Sequence, residues 1–349
     1  MAMGVWMVGI LMALLPVVPG PEPGFVRAEG TRLTLNGRPY VMAGLNVYNA
    51  ASDGNCWYPM SLGRSLRQMK GNVIRVWFFQ RLATKDGRRD WRALDRMLAT
   101  ARRHGVKVLP VLTDQWGKCE WSGYKTESWY RGGYREIDPG GTVSYRDWVA
   151  EAVRRYRHDP AIAMWTLVNE AEAKPAGSAE CGPGATGALR DFADDVGAVA
   201  KAASPAHLLT LGTMGGGQCG TAAQNYQEVY ASPALDVCEY HDYHEPDQAI
   251  PGNQFDGLAI RLAQCRALDK PLFVGEAGID PKETGGLRGR ARAYAAKMSA
   301  QFAAGVVGFV VWAWCDAGRT DGDAFVVRPG DPVLKVLDRR ARPRRSARL

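Results

Sequence analysis

Short apolar runs and helix-period stretches alternate along this chain from Phe25 to Ala317. The opening segment FVRAEGTRLTLNGRPYVMAGLNVY predicts a hairpin turning at Asn36-Gly37, then a buried strand from Val41 to Asn46. SLGRSLRQMKG reads as a short amphipathic helix ending at Gly71, and NVIRVWFF as a second strand. Asp90 caps WRALDRMLATARRHG, where Leu94, Met97, Leu98 and Ala101 share one face and Gly105 stops the helix. VKVLPVLTDQW is a third strand, followed by a long aromatic and glycine-rich loop before the helix YRDWVAEAVRRYRHD. AIAMWTLVNEAEAKP begins as a fourth buried strand and ends in Asn169-Glu170. The rhythm repeats through LRDFADDVGAVAKAASP, HLLTLGT, LDVCEYHDYHEP, FDGLAIRLAQCRALDK, PLFVGEAGID, RGRARAYAAKMSAQFAAG and VVGFVVWAWCDAG. Eight strands alternating with helices predict parallel crossover units and a single (β/α)8 TIM barrel with a short N-terminal hairpin and elaborated loops on its C-terminal face.

The ends of the chain read differently. Residues 1–24 hold an apolar core from Val5 to Val18, broken by Pro16 and shorter than the ~20 residues a span requires. This segment reads as a secretory signal, although it lacks a basic n-region, or as an anchor that associates the chain with a membrane or cell surface. The catalytic-size domain then occupies residues 25–337. The last twelve residues, 338–349, carry six Arg against one Asp, so five of the eight net positive charges lie in a basic tail expected to be disordered. The body is close to charge-balanced, and its aromatics cluster with acids rather than along a basic stripe, which argues against nucleic acid as a partner. Seven cysteines fit an oxidising, extracellular compartment, with Cys181–Cys219 and Cys238–Cys265 as pairings that join neighbouring elements and one cysteine left over. A monomer is expected.

In a barrel alternate strand residues point inward. Counting back from the strand ends puts Arg75, Glu170, His241, Glu276 and Trp312 inside, near the face where such barrels place their chemistry. It also sends Cys238 outward, toward the helix that carries Cys265. Two carboxylates across an aromatic cleft suit glycosidic cleavage, in which one carboxyl protonates the leaving oxygen and the other attacks the anomeric carbon. Arg75 should favour the ionised form of Glu276, the nucleophile, and leave Glu170 as the acid. Asn169 suits a hydrogen bond to the sugar 2-hydroxyl, and His241 with Tyr243 would orient the nucleophile. Trp116, Trp121, Trp129 and Trp312 are candidates for stacking on sugar faces. No metal and no cofactor are implied: there is no CxxC or HExxH, no GxGxxG after the first strand, no GxxxxGK[ST] and no GxSxG elbow.

These residues resemble glycoside hydrolase family 5, within the clan of retaining enzymes that carry two glutamates on strands four and seven. The Asn169-Glu170 pair is similar to the family's acid/base motif and Glu276 to its nucleophile, with Arg75, His241, Tyr243 and Trp312 at supporting positions. The opening segment, VIRVWFF and TDQW resemble the endo-β-1,4-mannanases most, while Ala171-Glu172-Ala173 stands where the family often has a proline. The resemblance implies a secreted retaining β-glycosidase acting on a β-linked polysaccharide or oligosaccharide, with β-1,4-mannan leading. A β-1,4-glucanase (cellulase) or exo-β-mannosidase of the same family is the alternative, and a non-catalytic cell-surface carbohydrate-binding barrel the reading from another class.

Overall fold

The computed structural model describes residues 23–52, 56–316 and 323–341. The N-terminal segment expected to direct export and the tail beyond Ala341 therefore lie outside the described residues. Eight parallel strands form the core sheet: β1 (Met42–Asn46), β2 (Val73–Trp77), β3 (Lys107–Val111), β4 (Met164–Thr166), β5 (Leu208–Thr210), β6 (Cys238–Asp242), β7 (Leu272–Ala277) and β8 (Gly308–Val311). Their hydrogen-bonded order runs β5-β4-β3-β2-β1-β8-β7-β6, so each strand lies beside its neighbours in sequence and β8 closes on β1. The remaining seam, between β5 and β6, is stitched by Asp236 N–H to Leu209 O at 2.8 Å and His241 N–H to Met214 O at 2.9 Å. A helix follows each strand: α1 (Leu62–Gln68), α2 (Arg92–Arg103), α3 (Tyr145–Arg155), α4 (Ala185–Ala203), α5 (Asn225–Tyr230), α6 (Leu258–Ala267), α7 (Leu287–Ala304) and α8 (Val333–Ala341). The chain is a (β/α)8 barrel, as its alternation predicts.

The strands form because they are buried on both faces, lining the barrel inside and meeting the helices outside. Every residue of β2 and of β7 is buried. The backbones of β1 and β2 approach so closely at Gly44 that a Cβ there would stand 1.8 Å from the Val73 carbonyl oxygen, which only glycine avoids. The helices present apolar stripes inward. In α2 these are Leu94, Met97, Leu98 and Ala101, as predicted, and Gly105 ends the turn at φ +65°. The cap differs in detail. Trp91 holds the cap position, while Asp90, one residue earlier, accepts from the Arg92 N–H at 3.1 Å.

The predicted hairpin is the second half of a three-stranded antiparallel ribbon, Val26–Glu29, Arg32–Leu35 and Arg38–Tyr40. Its Asn36-Gly37 turn has positive φ at both residues, 53° and 71°, the twist that two-residue hairpins require. Val26 and Leu33 of the ribbon pack with Met42, Leu109, Met164, Leu208 and Phe273 in a separate apolar cluster across the bottom of the barrel. Lys107 donates from Nζ to the Gly24 carbonyl at 2.6 Å, fastening the ribbon to the strand ends.

Three differences from the pattern reading bear on the site. The long loop after β3 is not structureless: it contains a helical turn, Glu127–Arg131, because Trp129 and Tyr130 pack there against Phe192 of α4. The ladder of β4 is only three residues long, so Asn169 and Glu170 lie beyond it. The tail boundary moves as well. Helix α8 continues through residues 338–341, its buried Val333, Leu334, Val336 and Leu337 carrying the following turn with them. Among the described residues no helix is long and apolar enough to cross a membrane.

Disulfides join Cys56 to Cys119, Cys181 to Cys219 and Cys238 to Cys265. The last two are the predicted pairs, and Cys315 is the cysteine outside the bridges. Cys238–Cys265 ties the outer face of β6 to α6 and closes a loop of 27 residues. Replacing both cysteines by alanine should lower the unfolding free energy by about 3 kcal/mol through the larger unfolded-state entropy. A urea denaturation midpoint equal to that of the unaltered protein would refute this.

Candidate active site

The site is assembled around Arg75. Its side chain is fully buried on the inner face of β2. Nη1 donates to Glu276 Oε1 at 2.6 Å and to Asn46 Oδ1 at 3.2 Å, and Nη2 donates to Asn169 Oδ1 at 2.8 Å. A third acid, Glu239 on β6, stands 3.4 Å from Nη2. The guanidinium carbon lies 5.3 Å from the centroid of the Trp77 ring. A cation this deep is tolerable only because anions and amide oxygens surround it.

Asn169 is oriented on both sides. Its Oδ1 accepts from Arg75, and its Nδ2 donates to Asp114 Oδ1 at 2.9 Å, which settles which end of the amide carries the hydrogens. Asp114 belongs to the TDQW stretch after β3. Burial pushes its carboxyl up to about 6 although Asn169 and the Lys118 N–H both donate to it. Glu170 follows with φ +59°, an uncommon left-handed backbone that turns the chain out of the strand direction immediately after Asn169.

Both Glu170 oxygens are engaged. Oε1 lies 2.9 Å from His241 Nδ1, and Oε2 accepts from Trp116 Nε1 at 2.6 Å. Glu276 sits at the end of β7, where Oε2 accepts from the Tyr243 hydroxyl at 2.7 Å. His241 stands between the two acids, its Nδ1 3.7 Å from Glu276 Oε2 and its Nε2 3.3 Å from Glu239 Oε1. One ligand-capable atom from each of Glu170, His241 and Glu276 lies within 4.8 Å of the others. That spacing could hold a cation. However, Arg75 already neutralises Glu276, and each His241 nitrogen faces a carboxylate oxygen to which it can bond only as an N–H donor, which leaves the ring no lone pair for a metal.

Burial would lower the His241 pKa, but the charges of Glu276, Glu170 and Glu239 outweigh it and raise the imidazole to about 9. At Glu170 burial is overcome by the His241 hydrogen bond and charge, then by Trp116 and Arg75, leaving the carboxyl below its ordinary value. At Glu276 burial prevails and Glu170 adds repulsion, so its carboxyl lies above the ordinary value despite His241, Arg75 and Tyr243. This order is the reverse of the one predicted from Arg75 alone. Two causes account for it: the deeper burial of Glu276 outweighs Arg75 there, and His241 bonds directly to Glu170 at 2.9 Å while standing 3.7 Å from Glu276.

The predicted tryptophans separate into two groups. Trp116 is 45% exposed and sits edge-on to Tyr124, beside the acid it holds. Trp312 is half-buried, stacked on Tyr48 at 5.6 Å, with its Nε1 donating to Asp323 at 2.7 Å. Trp129 instead packs among Tyr130, Tyr134, Tyr145 and Phe192, so it builds the wall rather than the cleft. Trp121 covers Gly140, where an added Cβ would meet its ring at 2.7 Å. Arg75, Asn169, Glu170, His241, Tyr243, Glu276 and Trp116 thus meet through direct contacts, and Trp312 joins them through Trp77 at 5.9 Å. Glu239, Asp114 and Asn46 were not anticipated. Glu239 was within reach of the same counting, being two residues before His241 on one strand face.

No family model matches the chain. It is similar to "Mannan endo-1,4-beta-mannosidase A" of Podospora anserina, 24% identical over 96% of this chain and 95% of that protein. It is also similar to "Mannan endo-1,4-beta-mannosidase 1" of Oryza sativa subsp. japonica, 27% identical over 76% of this chain and 71% of the other. The endo-1,4-beta-mannanase structure from Rhizomucor miehei superposes with a TM-score of 0.71 at 17% identity, covering 90% of this chain and 97% of that one. The chain thus has the barrel fold of that structure and is similar along nearly its whole length to a mannan endo-1,4-beta-mannosidase.

A histidine raised from 6.5 to about 9 stabilises the fold below its unfolded pKa, and that contribution disappears as pH rises from about 6.5 to about 9. Lys270, lowered by burial to about 8, acts in the opposite sense at higher pH, so the comparison must be with His241→Gln. The stability difference between the two proteins should shrink by on the order of 2–3 kcal/mol between pH 6.5 and 9.5. Urea unfolding at both pH values checks this, and parallel curves would disprove it.

Proposed function

We propose that this protein is a retaining, endo-β-mannanase-like glycoside hydrolase in which Glu170 is the acid/base and Glu276 the nucleophile. The observation that carries the reading is the close approach of the two carboxyls, with an oxygen of each within 4.8 Å, while Arg75 and Tyr243 donate to one and His241 and Trp116 to the other. A separation of ~5 Å leaves no room for a water between the second carboxylate and the anomeric carbon and favours direct attack, whereas inversion needs ~6.5–9.5 Å. The names of the relatives supply the substrate class, β-1,4-linked mannan.

In the resting site His241 and Glu170 share one proton across their 2.9 Å contact. Transfer from Nδ1 to Oε1 leaves a neutral imidazole and a protonated Glu170, the form that can protonate a glycosidic oxygen. Glu276, held by Arg75 and Tyr243, attacks the anomeric carbon as that bond breaks, giving a glycosyl ester and the free leaving hydroxyl. Glu170, now anionic, takes a proton from water. The hydroxide equivalent adds to the anomeric carbon and restores both carboxyls. Tyr243 stays a donor throughout, because burial and the neighbouring glutamates raise its phenol pKa. Asn169, clamped between Arg75 and Asp114, points its remaining N–H toward the sugar 2-hydroxyl. The three disulfides support export to an oxidising compartment.

Purified protein should hydrolyse β-mannan in preference to cellulose and xylan, with the β-anomer released first when followed by NMR. Glu170→Gln should reduce kcat by ~10²–10⁴-fold, and Glu276→Gln by about 10⁴-fold while sugar binding survives. Undiminished hydrolysis by Glu276→Gln, or first release of the α-anomer, would overturn the assignment.

A further inference from the structure

Three acids surround His241, but the reaction proposed above uses only two. The third, Glu239, is fully buried on the inner face of β6. Its Oε1 is shared between Arg75 Nη2 at 3.4 Å and His241 Nε2 at 3.3 Å. Its Oε2 is buried and has no hydrogen-bond partner among the described residues. Gly275, directly before the nucleophile, makes room for it: a Cβ there would lie 2.1 Å from Glu239 Oε1. A carboxylate with one bare oxygen in a dry interior is costly, and an apolar or amide side chain would suit packing better. Its negative charge is therefore the feature to explain.

We infer that Glu239 is a positioning residue that holds His241 by Nε2, keeps Nδ1 turned toward Glu170 and Glu276, and sets a carboxylate against the ring that no step of the reaction consumes. The inference rests on the glycosidase reading. The groups facing His241 are Glu170 from the end of β4, Glu276 from β7 and Glu239 from its own strand. Arg75 bears on both Glu239 and Glu276, and the Tyr243 hydroxyl reaches Glu276. Glu170 loses its charge when protonated, and Glu276 loses its charge when it becomes a glycosyl ester. Glu239 takes part in neither step. In each interval one of the two reacting carboxylates is neutral while the other still faces the imidazole, so Glu239 is the partner of His241 that neither step alters. A glutamate serving Arg75 alone would leave the histidine unaffected.

The test is Glu239→Gln in the full chain, read two ways. Histidine NMR, with the His241 signal assigned by its loss in His241→Gln, gives the imidazole titration directly. The pH profile of mannan hydrolysis gives its consequence. Glu239→Gln should lower the His241 midpoint by about one pH unit or more, move the alkaline limb of kcat the same way, and cut kcat about tenfold with KM nearly unchanged. Glu239→Asp, which keeps the charge but withdraws it by one methylene, should show a smaller shift in the same direction. If Glu239→Gln does not fold, the Glu239→Asp shift decides. An unchanged His241 midpoint in whichever variant folds overturns the inference. Should the unaltered protein hydrolyse no polysaccharide, the glycosidase reading fails, while the NMR titration still decides whether Glu239 governs His241.

Discussion

Everything in the upper half of this barrel depends on satisfying one buried guanidinium. Arg75 enters a compartment walled by apolar strands, and its charge must be balanced there or the strand could not place it. The balance comes from four other elements: Asn46 on β1, Asn169 after β4, Glu239 on β6 and Glu276 on β7. A planar fork can serve several acceptors in fixed directions, which an ammonium cannot. The same bonds that make Arg75 tolerable therefore set the places of the nucleophile and of the amide beside the acid. Site geometry and barrel closure are in this sense one requirement.

Around that centre the polar contacts extend outward. Asp242, next to His241 but on the opposite face of β6, meets Lys297 Nζ at 3.0 Å and Gln301 Nε2 at 2.8 Å, both from α7. The helix layer thus anchors the strand that carries the imidazole. On the rim, Glu172 accepts from the Tyr124 hydroxyl at 2.7 Å and from the Cys219 N–H at 3.1 Å. With Cys181–Cys219 and Cys56–Cys119, this joins four loops around Trp116 and Glu170. The loops bordering the acid are cross-linked, not free flaps.

Most of the fold was readable from period alone, because doubly buried strands and one-sided helices leave different spacings in the sequence. The Asn36-Gly37 turn and the outward Cys238 were equally readable, since each follows from a local rule. What escaped was decided by neighbours distant in the chain. Trp129 looks like a cleft residue in its loop, but Phe192 draws it into the wall. The relative acidity of Glu170 and Glu276 could not follow from Arg75 alone, because it is set by how deeply Glu276 is buried and by the bond His241 makes to Glu170. Glu239 shares the alternation that singled out His241, yet a lone acid inside a strand gives no sign that it will face both a guanidinium and an imidazole.

The ribbon beneath the barrel has a consequence for the site above it. Val26 and Leu33 cover the lower end of the strands with an apolar layer, packed with Met42, Leu109, Met164, Leu208 and Phe273. The ribbon therefore bears on the site through the strands that stand on it, and not by contact with substrate: Met42, Met164 and Phe273 meet it at the bottom of the strands that lead up to Asn46, Asn169 and Glu276.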